Sequence, residues 1–291
     1  MDVLYFLIVN YNSSDLVSRL LHSIRNNSSD YRVVIINNSA KDKAIARLEN
    51  DRTVIIEAKE NLGFGKACNL GLSWIYNRDS KAIVWLINPD AYFDVEKDRN
   101  VVNSAIAFFQ NYPQISILGT TVYNSEGKLT DAGGTFIPGT AALGIVTSIP
   151  ENNSASYFKT DWVSGCSLLI NLAKFPQCPS FDPRYFLYYE DLDFCLRYGK
   201  QGHQIAVTDS LKIIHDTSSI TNRNLYRKYK HITHSYLVHI EKHGNLQTFI
   251  LTNIRMLLNT LRLIIVKPQQ GRGKLVGFYS YWRLRFIGKT I

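Results

Sequence analysis

Ala82-Ile83-Val84-Trp85-Leu86-Ile87-Asn88-Pro89-Asp90 is an unbroken apolar run that stops on a polar turn. Continuous β-branched and aromatic residues without alternation predict a strand buried on both faces, as in a parallel sheet. Its terminal carboxylate then falls on the rim of that sheet. Outward from it the pattern repeats, with Val3–Val9, Arg32–Ile36 and Thr53–Glu57 reading as further strands. Helices separate them. Ser13-Ser14-Asp15 caps one that runs to about Ile24, with Leu16, Leu20, Leu21 and Ile24 on one face. Another follows Asn37-Asn38-Ser39 through Leu48, a third runs from about Lys66 to Tyr76, and a fourth spans Val101–Asn111. Alternation of this kind implies an α/β fold: a doubly wound, mostly parallel sheet with right-handed crossovers and flanking helices. Ligands of such sheets lie outside the carboxyl ends of the strands. Asn10, Asn37, Asn61 and Asp90 fall there and are expected to converge on one crevice.

The remainder reads differently. Ile115–Val122 and Ser164–Ile170 are expected strands, with a hairpin and a mobile loop between them over Gly127–Ser156. Asp191–Gly202 reads as a helix and Lys212–Ile214 as a short strand ending at His215. Asn222–His243 and Gln247–Val266 read as two more helices. This organisation predicts a catalytic domain over 1–220, with a nucleotide-binding half of about 1–112 and an acceptor half of about 113–220. A helical, basic, amphipathic extension over 221–291 follows.

The chain of 291 residues carries a formal charge of +9, and the excess is confined. From Lys242 to Ile291 there are nine Lys or Arg and no Asp or Glu, so the preceding body is balanced. That argues against a nucleic-acid-binding body. Scattered Cys68, Cys166, Cys178 and Cys195 suggest reduced thiols in a cytoplasmic protein. The opening residues have no basic segment of a signal peptide, and no uncharged apolar stretch reaches the ~18 residues of a membrane span.

Four segments carry candidate chemistry. Asp90, with Asn88 beside it, offers a hard oxygen ligand for Mg²⁺ or Mn²⁺ and, through the metal, a diphosphate. In Asn61-Leu62-Gly63-Phe64-Gly65-Lys66-Ala67-Cys68-Asn69, glycines before a helix let backbone N–H groups approach phosphate. Its spacing matches neither a P-loop nor a dinucleotide fingerprint. Glu190-Asp191-Leu192-Asp193 follows the aromatic run Tyr185-Phe186-Leu187-Tyr188-Tyr189. A partly dry wall and neighbouring like charges raise a carboxylate's proton affinity, which suits a general base. His215 is a candidate ligand for the metal or a phosphate. Together these point to transfer of a group, most plausibly a sugar, from a nucleoside diphosphate.

In order along the chain, VNYNS, VIINNS, NLGFGKACNLG, WLINPDA, WVSGCSLLI, FLYYEDLDFCLR and the His215 segment resemble family 2 glycosyltransferases of the GT-A fold, and among them the rhamnosyltransferase-like group. The resemblance implies inverting transfer from a nucleoside-diphosphate sugar with Mg²⁺ or Mn²⁺. It implies Asp90 as metal ligand, Asp191 as general base with Glu190 orienting substrate, and Asn10 and Asn12 lining the nucleotide cleft. Trp162, Gly165 and Cys166 would border a sugar. Relatives usually carry Asp where this chain has Asn37, an amide that can still pair with a pyrimidine. The implied donor is thymidine-diphosphate rhamnose first and a uridine donor second. The acceptor would be a glycan, or a glycan on a polyprenyl diphosphate, in bacterial surface polysaccharide assembly. The tail over 246–291, where Phe278–Phe286 interleaves aromatics with arginines, is expected either on an anionic membrane surface at the inner face of the cell membrane or packed on the catalytic domain or a twin subunit. A sugar nucleotidyltransferase would need a basic Gly-rich loop where Asn10-Tyr11-Asn12-Ser13-Ser14 stands. A non-catalytic nucleotide-sugar-binding scaffold would have no need of Asp90 and Asp191.

Overall fold

The structure, a computed structural model, describes residues 3–24, 30–39, 41–96, 100–149, 156–215 and 224–287. A central sheet is built from β1 (Leu4–Asn10), β2 (Tyr31–Asn37), β3 (Thr53–Glu57), β4 (Ile83–Ile87), β5 (Ala91–Tyr92), β6 (Ile115–Tyr123), β7 (Leu129–Asp131), β10 (Phe158–Lys159), β11 (Ser167–Asn171) and β12 (Gln204–His215). A separate hairpin pairs β8 (Gly134–Ile137) with β9 (Ala142–Ile145). The sheet's order is β10-β12-β6-β11-β4-β1-β2-β3, with β5 on β12 and β7 on β6. β1 to β4 are mutually parallel, and β6 and β12 are parallel to each other, whereas β11 runs antiparallel between β4 and β6.

Alternating side chains of β1 feed two cores. Leu4, Phe6 and Ile8 face a core closed by α1 (Ser14–Ile24) and α3 (Val101–Asn111). Tyr5, Leu7 and Val9 face one closed by α2 (Phe64–Tyr76) and α4 (Glu190–Lys200). Period-two alternation with both faces apolar is what a doubly covered strand requires. Each fully buried large side chain, Trp85 and Phe6 among them, contributes about 1.5–3 kcal/mol.

Local readings shift in three places. The helix expected through Leu48 is only a 3₁₀ turn over Ala44–Leu48. α2 begins at Phe64, because Gly63 at φ 79° makes the turn into it. The short strand at Lys212 is the second half of β12, whose pairing with β6 is interrupted by a bulge between Thr208 and Lys212.

The chain ends in α5 (Leu225–His243), α6 (Leu246–Val266) and α7 (Pro268–Ile287). α7 lies tightly on α5, since added side-chain atoms at Gly273 and Gly277 would meet the backbone carbonyls of Tyr226 and Lys230. The Asp216–Ser219 segment after His215 lies outside the described residues.

Candidate active site

β11 runs antiparallel, so its start sits at the rim where β4 ends, with Ser167 opposite Ile87. The Asn88 N–H donates to the Cys166 carbonyl at 3.0 Å, which ties the Asn88-Pro89-Asp90 turn to the segment before β11. One residue earlier, the Gly165 N–H donates to Asp191 Oδ2 at 2.8 Å. The turn that carries Asp90 and the Asp191 side chain are therefore bonded to adjacent residues, although far apart in sequence. β5 pairs Ala91 with His215 at the end of β12 and brings His215 Nε2 within 3.1 Å of Asp90 Oδ1. Asp90 is buried.

Asp191 is the second residue of α4, and its Oδ1 accepts from the Leu192 N–H at 2.8 Å. Burial raises its proton affinity, and the bonds from Gly165 and Leu192 only partly offset that. Glu190 is buried beside it, and among the described residues its Oε2 has no hydrogen-bond partner. Burial first, then the charge of Asp191, pushes Glu190 well above the ordinary carboxylate range. The two stand after Tyr188 and Tyr189, both left-handed at φ 72° and 68°. Consecutive bulky residues in that region are strained backbone, of the kind that collects at functional sites.

The sequence reading missed a third carboxylate. Asp131, at the end of β7, accepts from the Gly133 N–H at 2.7 Å. Burial pushes it up to about 6, with Asp191 raising it further and His215 opposing. In sequence, Asp131-Ala132-Gly133 reads only as a turn. Cys166 lies among these groups; burial, then the charges of Asp131, Asp191 and Asp90, drive its thiol far up, so it stays protonated. Trp162 is buried and donates through Nε1 to the Thr135 carbonyl at 3.3 Å, linking this segment to β8.

Along the same edge of the sheet, the polar residues ending β1 to β3 bond to one another. Asn10 Nδ2 donates to Asn37 Oδ1 and to Asp42 Oδ2, both at 3.1 Å. Asn37 Nδ2 donates to both Glu57 oxygens at 3.0 and 2.9 Å. The Asn37 amide, expected to face a pyrimidine, is thus committed internally. Asp42 and Glu57, which the sequence reading did not single out, supply carboxylates at this rim. Burial would raise Asp42, but bonds from Ser14 and Asn10 outweigh it and hold this carboxyl below its usual range. Ser39 Oγ donates to Asn12 Oδ1 at 2.6 Å.

The glycine loop also departs from expectation. The N–H groups of Leu62, Gly63 and Phe64 donate to Asn38 Oδ1, Asn61 Oδ1 and the Phe186 carbonyl. Those three amides are occupied and do not form a phosphate cradle. Gly65 packs against the side chains of Phe181 and Glu190, and Lys66 is exposed in the first turn of α2. Asn69 brackets the Phe181 backbone with bonds of 2.9 and 2.7 Å, a structural tie between α2 and the segment before α4.

α5 braces the catalytic-side loop. His231 stacks on Phe186 at 4.3 Å and His239 on Tyr189 at 5.3 Å. Ser235 Oγ donates to the Leu187 carbonyl at 2.8 Å, and His234 Nε2 to that of Arg184 at 3.3 Å. His243 and Lys242 both meet Asp193, which is fully buried and also bridges Arg197 at 2.7 Å.

Asp90 and His215 form an oxygen–nitrogen donor pair that suits Mn²⁺ or Mg²⁺ when a ligand's diphosphate oxygens and water complete the shell. Among the described residues no group of three or more His, Cys, Asp or Glu could hold such an ion alone.

The same sheet plan occurs in solved glycosyltransferases. A mannosyltransferase of Pyrobaculum calidifontis in complex with GDP-Man and Mn²⁺ superposes with a TM-score of 0.56 at 11% identity, over 96% of this chain and 86% of that one. GalNAc-T7 with UDP, GalNAc and Mn²⁺ gives 0.59 at 13% identity over 81% of this chain, which spans only 50% of that enzyme. The fold is therefore the GT-A glycosyltransferase fold. Residues 5–164 match the model of glycosyl transferase family 2, and the chain belongs to that family. Similar curated proteins include a rhamnosyltransferase of Escherichia coli, 22% identical over 78% of this chain and 88% of its own length. An N-acetylglucosaminyl-diphospho-decaprenol L-rhamnosyltransferase of Mycobacterium tuberculosis is 24% identical over 77% and 79%. A low-salt glycan biosynthesis hexosyltransferase of Haloferax volcanii is 25% identical over 74% and 68%.

Proposed function

We propose that this glycosyltransferase is inverting and metal-assisted, and moves L-rhamnose from its thymidine diphosphate, or failing that a sugar from a uridine donor, to a glycan or polyprenyl-diphosphate-linked glycan. The observation that carries the reading is that Asn88, two residues before Asp90 in the same turn, and Asp191 are bonded to the adjacent residues Cys166 and Gly165. A bound Mn²⁺ or Mg²⁺, held by Asp90 and His215, would neutralise the charge of the departing diphosphate. The donor's sugar then lies between that pair and Asp191. Asp191 accepts the proton of the acceptor hydroxyl as the hydroxyl oxygen bonds to the anomeric carbon. The bond from that carbon to the diphosphate breaks on the opposite face, and its electron pair leaves with the nucleotide. Attack opposite to departure inverts the configuration. Glu190 stays protonated and orients substrate. Asn10, Asn12, Asn37, Asn61 and Gly63 shape the nucleotide side through the contacts described above, Asn69 holds α2 to the Phe181 segment, and Lys66 and Asn88 face the diphosphate. Trp162, Gly165 and Cys166 border the sugar.

The rhamnose assignment rests on the names of the bacterial relatives. The same reading divides the chain into a catalytic domain over 1–220 and an extension over 221–291. It places the enzyme at the cytoplasmic face of a membrane, touched by residues 246–291.

Asp191→Asn keeps the Gly165 bond's acceptor but removes the base. The expected result is a loss of about 10²–10⁴-fold in transfer, with nucleotide affinity nearly unchanged by titration. Wild-type turnover in that variant would remove Asp191 from the role.

A further inference from the structure

α6 is turned inside out for a helix of a globular protein. It is 21 residues long and, of these, only Thr260 is buried. Leu246, Ile250, Ile254, Leu258, Leu261 and Ile265 are exposed, Leu246 to 73% and Ile265 to 82%. At 100° per residue all six fall within about 120° of the helix circumference. Arg255 and Arg262 stand along one edge of that stripe and are exposed. The helix is long and apolar enough, by length and composition, to cross a membrane. Its other side, however, packs on α7. Trp282 Nε1 donates to Asn253 Oδ1 at 3.2 Å, and Arg285 lies over the Phe249 ring at 4.7 Å. One face is thus committed to protein, and the apolar one faces out.

The patch continues beyond the helix. The Asn245 N–H donates to the Gly139 carbonyl at 2.7 Å, which pins the tip of the β8–β9 hairpin to the start of α6. That hairpin exposes Leu143 and Ile145 on one face and Ile137 on the other. Its other end bridges Gly134 to Trp162, three residues before the Gly165 that holds Asp191. The outward apolar surface therefore leads to the candidate acceptor side.

We propose that α6 and the β8–β9 hairpin form one surface that lies in the plane of an anionic lipid bilayer, apolar stripe inward and arginines at the headgroups. The clause about acceptor access rests on the transfer reading; the docking does not. Charge selects the occupant. The charged residues of α6 are Arg255 and Arg262, with no acidic residue beside them on the helix, so two copies placed face to face would set like charges against each other. An anionic leaflet complements that charge and takes the exposed leucines and isoleucines as well. Of the α7 aromatics, Phe278, Tyr281 and Trp282 pack inward on α5 and α6, whereas Tyr279 and Phe286 are exposed.

Full-length protein and Ile254→Glu/Leu258→Glu are compared by co-sedimentation with vesicles of phosphatidylcholine alone or mixed with phosphatidylglycerol, free of donor and acceptor. Wild type is expected to bind the mixed vesicles, to be released by salt and by alkaline carbonate, and to bind neutral vesicles at least tenfold more weakly. The double variant, checked for an unchanged melting temperature and nucleotide titration, is expected to lose at least tenfold in binding. Equal binding by the variant, or no preference for anionic lipid, overturns the proposal. Resistance to carbonate would make α6 a membrane span instead. A concentration-dependent dimer lost in the variant, with no vesicle binding by wild type, would assign the face to a second copy. Loss of transfer activity in either protein bears on the enzymatic reading alone, since the vesicles contain no substrate.

Discussion

Asp191 and Glu190 are neighbours with different jobs because their surroundings differ. Asp191 has two backbone N–H donors, whereas the buried Glu190 oxygen has no partner among the described residues. Both carboxyls have raised proton affinity, Glu190 the more strongly, and Asp191's charge is part of the cause. Two backbone N–H donors favour the charged form of Asp191, so Asp191 is the expected base and Glu190, with no donor to its Oε2 among the described residues, the expected holder of the proton. Because a base works only when ionised, transfer should fall on the acid side at a pH above the ordinary Asp value. Glu190→Gln copies the protonated carboxyl, so the acid limb of kcat/KM should stay where it is in wild type. A limb displaced to lower pH would mean that Glu190 is ionised in the working enzyme. Asp90 is tested separately. Asp90→Asn should leave metal-free nucleotide binding intact and abolish its enhancement by Mn²⁺ in calorimetric titration; an undiminished Mn²⁺ effect would remove Asp90 from metal binding.

At the scale of elements, α5 is the brace that holds α4 and the loop before it. Burial keeps His231 and His239 down at about 4, against an ordinary value of 6.5. The folded state holds them neutral while the unfolded chain protonates them, so stability is full above pH 6.5 and declines as pH falls toward 4. Asp193 works in a lower window. Burial opposes its charge, but His243, Lys242 and Arg197 hold it down at about 2 against 3.8, so its contribution is lost only as pH falls below 3.8. Asp131, Glu190 and Asp191, raised in the folded state, oppose the histidines' loss as pH falls, so the test is a difference. The urea midpoint of His231→Gln/His239→Gln should fall less between pH 6.5 and 4 than that of wild type, and an equal fall would contradict the neutral histidines. Asp193→Ala removes the buried acceptor shared by His243, Lys242 and Arg197 and should cost about 3–5 kcal/mol in unfolding free energy. The sequence disclosed the four parallel strands because their apolar runs are continuous, and Asp90 and Asp191 because each stands at the end of such a run or of an aromatic one. It did not disclose the brace, since histidines spaced three and four apart look the same whether they clamp a loop or face solvent. β12 was half hidden because its bulge places Asp209 and Ser210 amid the apolar pattern. Asp42 and Glu57 were passed over because acids in loops and at strand ends are ordinary.

Across the whole molecule, the C-terminal helices are joined to the chemistry by contacts and not merely appended to it. α7 seats on α5 through Gly273 and Gly277, α5 holds the loop from Asp182 to Asp193, and that loop delivers Asp191. On the nucleotide side, the polar residues ending β1 to β3 are held mainly by bonds to one another, to which α5 adds a bond from Arg227 Nη1 to the Tyr11 hydroxyl at 3.3 Å. A wedge between α5 and α7 should therefore separate the two functions. Gly277→Leu would drive a side chain into the Lys230 carbonyl and Thr233. Overpacking of that kind costs about 1–3 kcal/mol, and each kcal/mol lowers the melting temperature of a chain this large by roughly 2–4 °C. Transfer should fall with it, through kcat, because α4 loses its backing. Nucleotide affinity should stay within about twofold, because Asn10, Asn37 and Asp42 do not lean on α5. Conservative Gly277→Ala should give a smaller loss of the same kind. Parallel loss of nucleotide binding and turnover would show the fold to be one cooperative unit with no such division, and an unchanged melting temperature would mean that the helices can separate without cost.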